Sequence, residues 1–426
     1  MHLLKCWTVV MAVVALAVTA SPVATAGNYI CFADHACISA AATTELGTAL
    51  DASISPRTNT RRLADTAPAP VTMLQCKHVI GYSSLAADIA SLPVEMLTHM
   101  ILESNGAGAT DQASSALRQR NANLRVLQSN VHLDAAWIHN LARGPVAEMQ
   151  KSLFAMADTS LNSLKFDGIH LSLSDSMAGP HLVPLLAELK AQLALVRTPY
   201  QKPAGLLSVT VPWSATPVSG WTAILGEIAA ICDFVTVDTV SVRIVFFLSS
   251  LHLAHQSNAK TKQGKRNPST TAFHASYASL RSGVSAFRSA GVPAAKLHAR
   301  ITYDSQAYPG VDMSFWTPSA PGTKYFAQAA APGRYGDLDG RISYDSLMGG
   351  YGLSTGYLYR QDYGAKSLTV YSPIARVWIS AEDPWTVQAK AQLVAAEGLG
   401  GVLVTDLASD TRHGHLMTAT LVAAMA

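Results

Sequence analysis

The most informative segment of this chain runs Phe166-Asp167-Gly168-Ile169-His170-Leu171-Ser172-Leu173-Ser174-Asp175. From Ile169 to Ser174 apolar and polar residues alternate. That pattern predicts a half-buried strand with His170, Ser172 and Ser174 on one face. Phe166-Asp167-Gly168 reads as a short turn feeding the strand. Asp175 follows Ser174 by one residue, so strand alternation turns it to the opposite face. His170 is then the one titratable group on the inward face, and its default role is that of a hydrogen-bonded interior histidine.

Working outward, the chain from residue 74 alternates short apolar runs with helical segments, the signature of a parallel sheet with crossover helices. Eight candidate strands are legible: His78 to Tyr82, Thr98 to Ser104, Leu124 to Gln128, Gly168 to Ser174, Leu206 to Trp213, Phe234 to Val240, Leu297 to Tyr303 and Gly401 to Leu407. Helical spacing marks Leu182 to Val196, Tyr277 to Ala290 and Thr386 to Glu397. Eight such units predict an α/β fold of the (β/α)8 TIM barrel type, with a site at the carboxyl ends of the strands.

Composition agrees with a globular chain. Its 426 residues are 49% hydrophobic and 14% charged, and the net charge of +3 carries no basic face patterned for nucleic acid. Residues 1–26 read as a signal peptide: Lys5, an apolar core from Trp7 to Val18, then small-residue sites ending at Ala20 and Ala26. The expected location is therefore secreted and extracellular, with no membrane segment after cleavage, because the apolar run is too short to span. Residues 27–73, rich in Ala, Thr, Ser and Pro, read as a linker or pro-segment with a dibasic pair at Arg61-Arg62. Cys6 leaves with the signal, so Cys31, Cys37, Cys76 and Cys232 remain. Cys31 with Cys37 and Cys76 with Cys232 is one pairing, and four free thiols is the alternative. No Asn-x-Ser/Thr acceptor occurs without an intervening Pro.

The frame around Asp167 resembles the fourth barrel strand of glycoside hydrolase family 18, the chitinases, which carries Asp-x-x-Asp-x-Asp-x-Glu. Thr98-His99-Met100-Ile101 is similar to the second strand of that family. Gly291-Val292-Pro293 through Tyr303 is similar to the approach to its seventh strand. Asp383-Pro384, Ala389-Lys390-Ala391 and Gly398-Leu399-Gly400-Gly401-Val402 resemble its last helix and eighth strand. The resemblance places the barrel over residues 74–426 and a small α+β insertion domain over residues 304–376, between strand seven and the following helix.

Laid on that motif, the first Asp is Asp167, and the other three positions hold His170, Ser172 and Ser174. The family uses a substrate-assisted route in which a Glu protonates the leaving oxygen and an Asp orients the substrate acetamide. A serine hydroxyl cannot act as that acid near neutrality. The family's Met-x-Tyr-Asp after strand six aligns with Asp238, Thr239, Val240 and Ser241, its strand-eight Trp with Thr405, and a strand-three glycine pair with Ser129-Asn130. The resemblance thus implies a secreted, catalytically inactive chitinase-like protein, a pseudoenzyme without cofactor or metal.

Its expected partner is chitin or a chito-oligosaccharide, bound as by a lectin-like module. An extracellular protein partner on a sugar-free scaffold is the alternative, followed by a glycosidase with relocated acids. The candidate ligand-binding residues are Trp213, Asp238, Tyr303 and Thr405, since sugars stack on aromatic rings beside polar groups. Trp137, Trp221, Tyr308 and Trp316 are further aromatics near loop ends. Lys260, Lys262, Lys265 and Arg266 read as a solvated loop after the apolar run Val242 to Leu253. His413 and His415 lack the further ligands that a metal site needs.

Overall fold

The computed structural model describes residues 29–31, 37–39, 77–84, 92–103, 107–130, 135–196, 205–213, 219–240, 269–270, 273–309, 324–325, 341–350, 357–410 and 414–425. The chain divides into two compact units, one made of residues 1–31, 37–73 and 426, the other of residues 32–36 and 74–425. In the first, Tyr29–Cys31 pairs antiparallel with Cys37–Ser39, and the register sets Cys31 opposite Cys37. Residues 1–26, Arg61-Arg62, Cys76 and the lysine-rich loop lie outside the described residues. Among the described residues Cys232 is a free, buried thiol, and its expected partner Cys76 is not among them. Burial pushes that thiol up to about 12.

The second unit is built on a closed parallel barrel of eight strands. They are β1 (His78–Ser84), β2 (His99–Glu103), β3 (Arg125–Asn130), β4 (Gly168–Ser172), β5 (Leu206–Pro212), β6 (Phe234–Asp238), β7 (Leu297–Thr302) and β8 (Gly401–Thr405). Sequence neighbours pair throughout, and β8 closes on β1. The helices are α1 (Ala107–Arg120), α2 (Ala135–Arg143), α3 (Val146–Asp158), α4 (Leu182–Leu195), α5 (Ser219–Ile231), α6 (Tyr277–Ser289), α7 (Pro384–Ala396) and α8 (His415–Met425). Among the described residues no helix is long and apolar enough to cross a membrane.

Alternation along each strand builds two separate interiors. Ile80, Ile101, Leu127, Phe234 and Leu403 meet inside the barrel with Tyr82 and Leu206. Val79, Met100, Val126, Ile169, Leu171, Val209, Val211, Val235, Ile301 and Val404 face the helices. Two glycines open β4 and β8 for a steric reason. A Cβ on Gly168 would sit 2.1 Å from the Leu206 carbonyl oxygen, and one on Gly401 would sit 2.0 Å from that of His78. That is the physical content of the glycine in the Phe-Asp-Gly frame.

The insertion after β7 is a five-stranded antiparallel sheet. Its spatial order is Arg341–Ser343, Asp304–Pro309, Val377–Ala381, Ser367–Ser372 and Leu358–Asp362, and the short helix Tyr344–Gly350 follows its edge strand. The sheet therefore runs past the expected limit of residue 376, because Val377–Ala381 pairs with two insertion strands rather than joining α7. Glu382 and Lys390, at 3% and 2% side-chain exposure, form an ion pair beneath the start of α7.

Candidate functional site

At the entrance of β4, Asp167 turns away from the barrel mouth. Its Oδ2 accepts hydrogen bonds from the Val126 N–H and from Arg118 Nη2, both at 2.8 Å, and Arg125 lies 3.9 Å from its other oxygen. Its side chain is 4% exposed, so it ties β3, α1 and β4 together. His170 points inward and is buried. Its Nδ1 lies 2.8 Å from Ser208 Oγ and its Nε2 3.2 Å from Thr210 Oγ1, both on β5. Burial, aided by the positive charge of Arg300, pushes the imidazole down to about 3. A group so shifted is neutral and a poor proton carrier near neutrality.

Ser172 is exposed at the mouth. The Ser174 hydroxyl lies 2.9 Å from Ser176 Oγ and opens the turn Asp175–Met177. Asp175 is bound to α5 instead. Its Oδ1 accepts from the Trp221 indole N–H on α5 at 2.9 Å, on the helix side of the strand.

The opposite wall carries the charge. Arg300 on β7 donates to Asp238 Oδ2 at 2.5 Å and reaches Thr405 Oγ1 at 3.4 Å. Burial works against the guanidinium charge, but Asp238 and then Asp406 outweigh it, and the Arg300 pKa is raised. Asp406 follows β8 in a left-handed conformation (φ 61°) and accepts from the Thr302 hydroxyl at 3.0 Å. Tyr82 stands edge-on to His170, with ring centroids 6.3 Å apart, and its hydroxyl lies 3.4 Å from Ser129 Oγ. The floor of the mouth is therefore an arginine held by the Asp238 carboxylate and reaching the Thr405 hydroxyl. It can hold hydroxyl or amide groups.

Two of the four expected ligand-binding residues, Asp238 and Thr405, meet here through Arg300. The other two are corrected. Tyr303 is fully buried, and its hydroxyl lies 2.9 Å from Thr420 Oγ1 on α8. Trp213 packs edge-on against Phe287 of α6, with centroids 6.2 Å apart. The cause is parity: Thr302 and Pro212 are the inward residues at those strand ends, so the next residue in each case faces the helices. Trp221 is likewise core, and Trp137 packs half-buried against the outer core. Trp316, His413 and the side chains of Tyr308 and His415 lie outside the described residues.

Arg300, Tyr82 and Asp406 were not singled out from sequence. The alternation in Leu297 to Tyr303 was a usable signal for Arg300, since it shares a face with His298 and Thr302. A second carboxylate near Arg300, that of Asp406, comes from the turn after β8. Arg300→Met is expected to lower stability by about 3–5 kcal/mol, because it leaves the Asp238 carboxylate, 6% exposed, without its cation. Urea unfolding of Arg300→Met, Asp238→Asn and the double variant checks this. The double variant should recover most of the loss, and strictly additive losses would deny the coupling.

The family model described as "Glycosyl hydrolases family 18" matches residues 75–410. Among solved structures, the class V chitinase from Nicotiana tobaccum aligns at 18% identity and a TM-score of 0.62, covering 82% of this chain and 99% of that one. A GH18 chitinase from Cycas revoluta in complex with (GlcNAc)3 aligns at 17% and 0.62, covering 81% and 99%. A chitinase-like agglutinin from Robinia pseudoacacia aligns at 19% and 0.61, also covering 81% and 99%. These likenesses are likenesses of fold. No curated protein matches the chain in sequence.

Proposed function

This chain belongs to glycosyl hydrolase family 18, and from that premise we propose that it is a secreted, non-hydrolytic member that binds chito-oligosaccharides as a lectin-like module. The observation that carries the loss of hydrolysis is the inward face of β4. His170 is held there against Ser208 and Thr210, and Ser172 and Ser174 stand where the family places acids. Binding is supported by the polar floor of Arg300, Asp238 and Thr405. It is also supported by the fold shared with a chitinase crystallised with (GlcNAc)3 and with a chitinase-like agglutinin. Secretion rests on the apolar segment near the N-terminus.

A second reading has its own observation. Arg300 and Asp238 occupy each other at the floor of the mouth, which favours a scaffold for an extracellular protein with no sugar ligand. Calorimetric titration of the secreted chain with chitohexaose, with mass spectrometry of the sugar afterwards, separates the readings. Saturable heat with intact hexamer is the expected result. General acid catalysis alone contributes ~10²–10⁴-fold, so turnover should fall at least about 10²-fold below that of an active relative. Shortened sugars at a rate near that of an active relative would overturn the non-hydrolytic reading. Absence of heat at several temperatures would transfer the function to the scaffold.

A further inference from the structure

We propose that a second saccharide site, separate from the barrel mouth, lies on the outer wall where α7, the start of α6 and an insertion hairpin meet. Trp385, Gln388, Ala389, Gln392, Leu393 and Ala396 of α7 form one side of a pocket of about 270 Å³, and Tyr277 and Lys366 complete it. Ligand pockets for drug-sized molecules span ~300–1,000 Å³, so this one suits a single ring. Trp385 is partly exposed, and Tyr363, at 69% exposure, stands edge-on to it with centroids 5.2 Å apart. An exposed aromatic pair beside two glutamine amides and an ammonium matches the chemistry of a pyranose, which has an apolar face for the ring and hydroxyls for the polar groups.

The pocket is tied in place before any ligand arrives. Gln361 Nε2 donates to Asp383 Oδ2 at 2.9 Å, and the other oxygen of Asp383 caps α7 by accepting from the Thr386 N–H at 2.7 Å. The Tyr277 N–H donates to the Ala365 carbonyl at 3.0 Å, which joins α6 to the same hairpin turn. Within that turn Asp362 Oδ1 accepts from the Ala365 N–H at 2.8 Å, and Lys366 adopts a positive φ of 48°. Walls fixed by their own hydrogen bonds lose less freedom when a small ligand binds. Lys366 Nζ sits 5.0 Å from the centroid of the Trp385 ring. A cation therefore already lies against that ring, which disfavours a cationic ligand and favours a neutral or acidic sugar.

The test is saturation-transfer NMR on the full chain with N-acetylglucosamine, glucose and glucuronate as separate probes. Saturable millimolar binding of at least one is expected, and a preference for glucuronate would assign the contact to the Lys366 ammonium. Trp385→Ala should abolish the signal. Gln392→Ala, on the exposed face of α7, should weaken it about 3–10-fold with an unchanged circular dichroism spectrum. No transfer with any probe at tens of millimolar, or unchanged transfer in both variants, would overturn the proposal. Chitohexaose heat that survives in folded Trp385→Ala belongs to the barrel mouth. Heat lost there assigns the oligosaccharide to this pocket and overturns the mouth reading alone.

Discussion

Between pH 6.5 and pH 4 the barrel is expected to lose on the order of 3 kcal/mol of stability through His170 alone, with further buried histidines adding in the same direction. His170 is pushed down to about 3 by burial and Arg300. His298 is pushed well below its usual value by burial and by His78 beside it. At the barrel floor His298 stacks on His78 with centroids 5.3 Å apart, and His99 and Phe234 pack around them. Folded, both groups stay neutral; unfolded, both accept a proton once the pH drops below ~6.5. The unfolded chain then binds more protons, so stability is present above ~6.5 and falls as the pH falls. Each histidine contributes about 1.4 kcal/mol per pH unit in the steep part of the curve. His274, also lowered to about 3, adds in the same direction. Urea unfolding between pH 7 and pH 4 measures the slope. His170→Gln should reduce it by about one histidine's share, and an unchanged slope in that variant would remove His170 from the account.

Lys390→Met is expected to cost about 3–5 kcal/mol at pH 7, because it strands the buried Glu382 carboxylate under α7. Glu382 also accepts from the Thr386 hydroxyl at 2.7 Å, so the acid is held in place when the lysine is gone. Burial already pushes this carboxyl up, and Lys390 is the main group opposing that rise. Without the lysine, the folded chain holds a proton on Glu382 that the unfolded chain releases. The deficit relative to wild type should therefore shrink as the pH is lowered towards 5. Lys390→Met combined with Glu382→Leu should recover most of the loss, since an apolar pair of similar size is often as stable as a buried ion pair. Denaturant unfolding of the single and double variants at pH 7 and pH 5.5 reads both effects. A double variant as unstable as the single would deny that the loss comes from a stranded charge.

The barrel and the altered acid motif were legible from one decade of residues. Alternation between Ile169 and Ser174 put His170, Ser172 and Ser174 inward, and the coordinates put His170 there. All eight strands were found with their centres correct, because each is an apolar run flanked by polar turns. Their ends were less legible, and that error had consequences. Reading Leu206 to Trp213 and Leu297 to Tyr303 through to their aromatic ends made Trp213 and Tyr303 look like mouth residues. One step of parity sends both to the helices, where Phe287 and Thr420 receive them.

Local sequence determined this protein's strands, helices and glycine entries, and it determined that no acid stands on the inward face of β4. These depend on periodicity and residue type within a few positions, which a linear chain displays openly. Only the tertiary structure decided what fills the mouth. Arg300, Asp238 and Thr405 are separated by as many as 167 residues and meet because β6, β7 and β8 are neighbours in a closed barrel. The same holds for the outer pocket. Tyr277, Lys366 and Trp385 come from α6, a hairpin turn and α7, and no local pattern brings them together. Their proximity follows from how the strands pair and the helices pack, a property of the whole closed sheet.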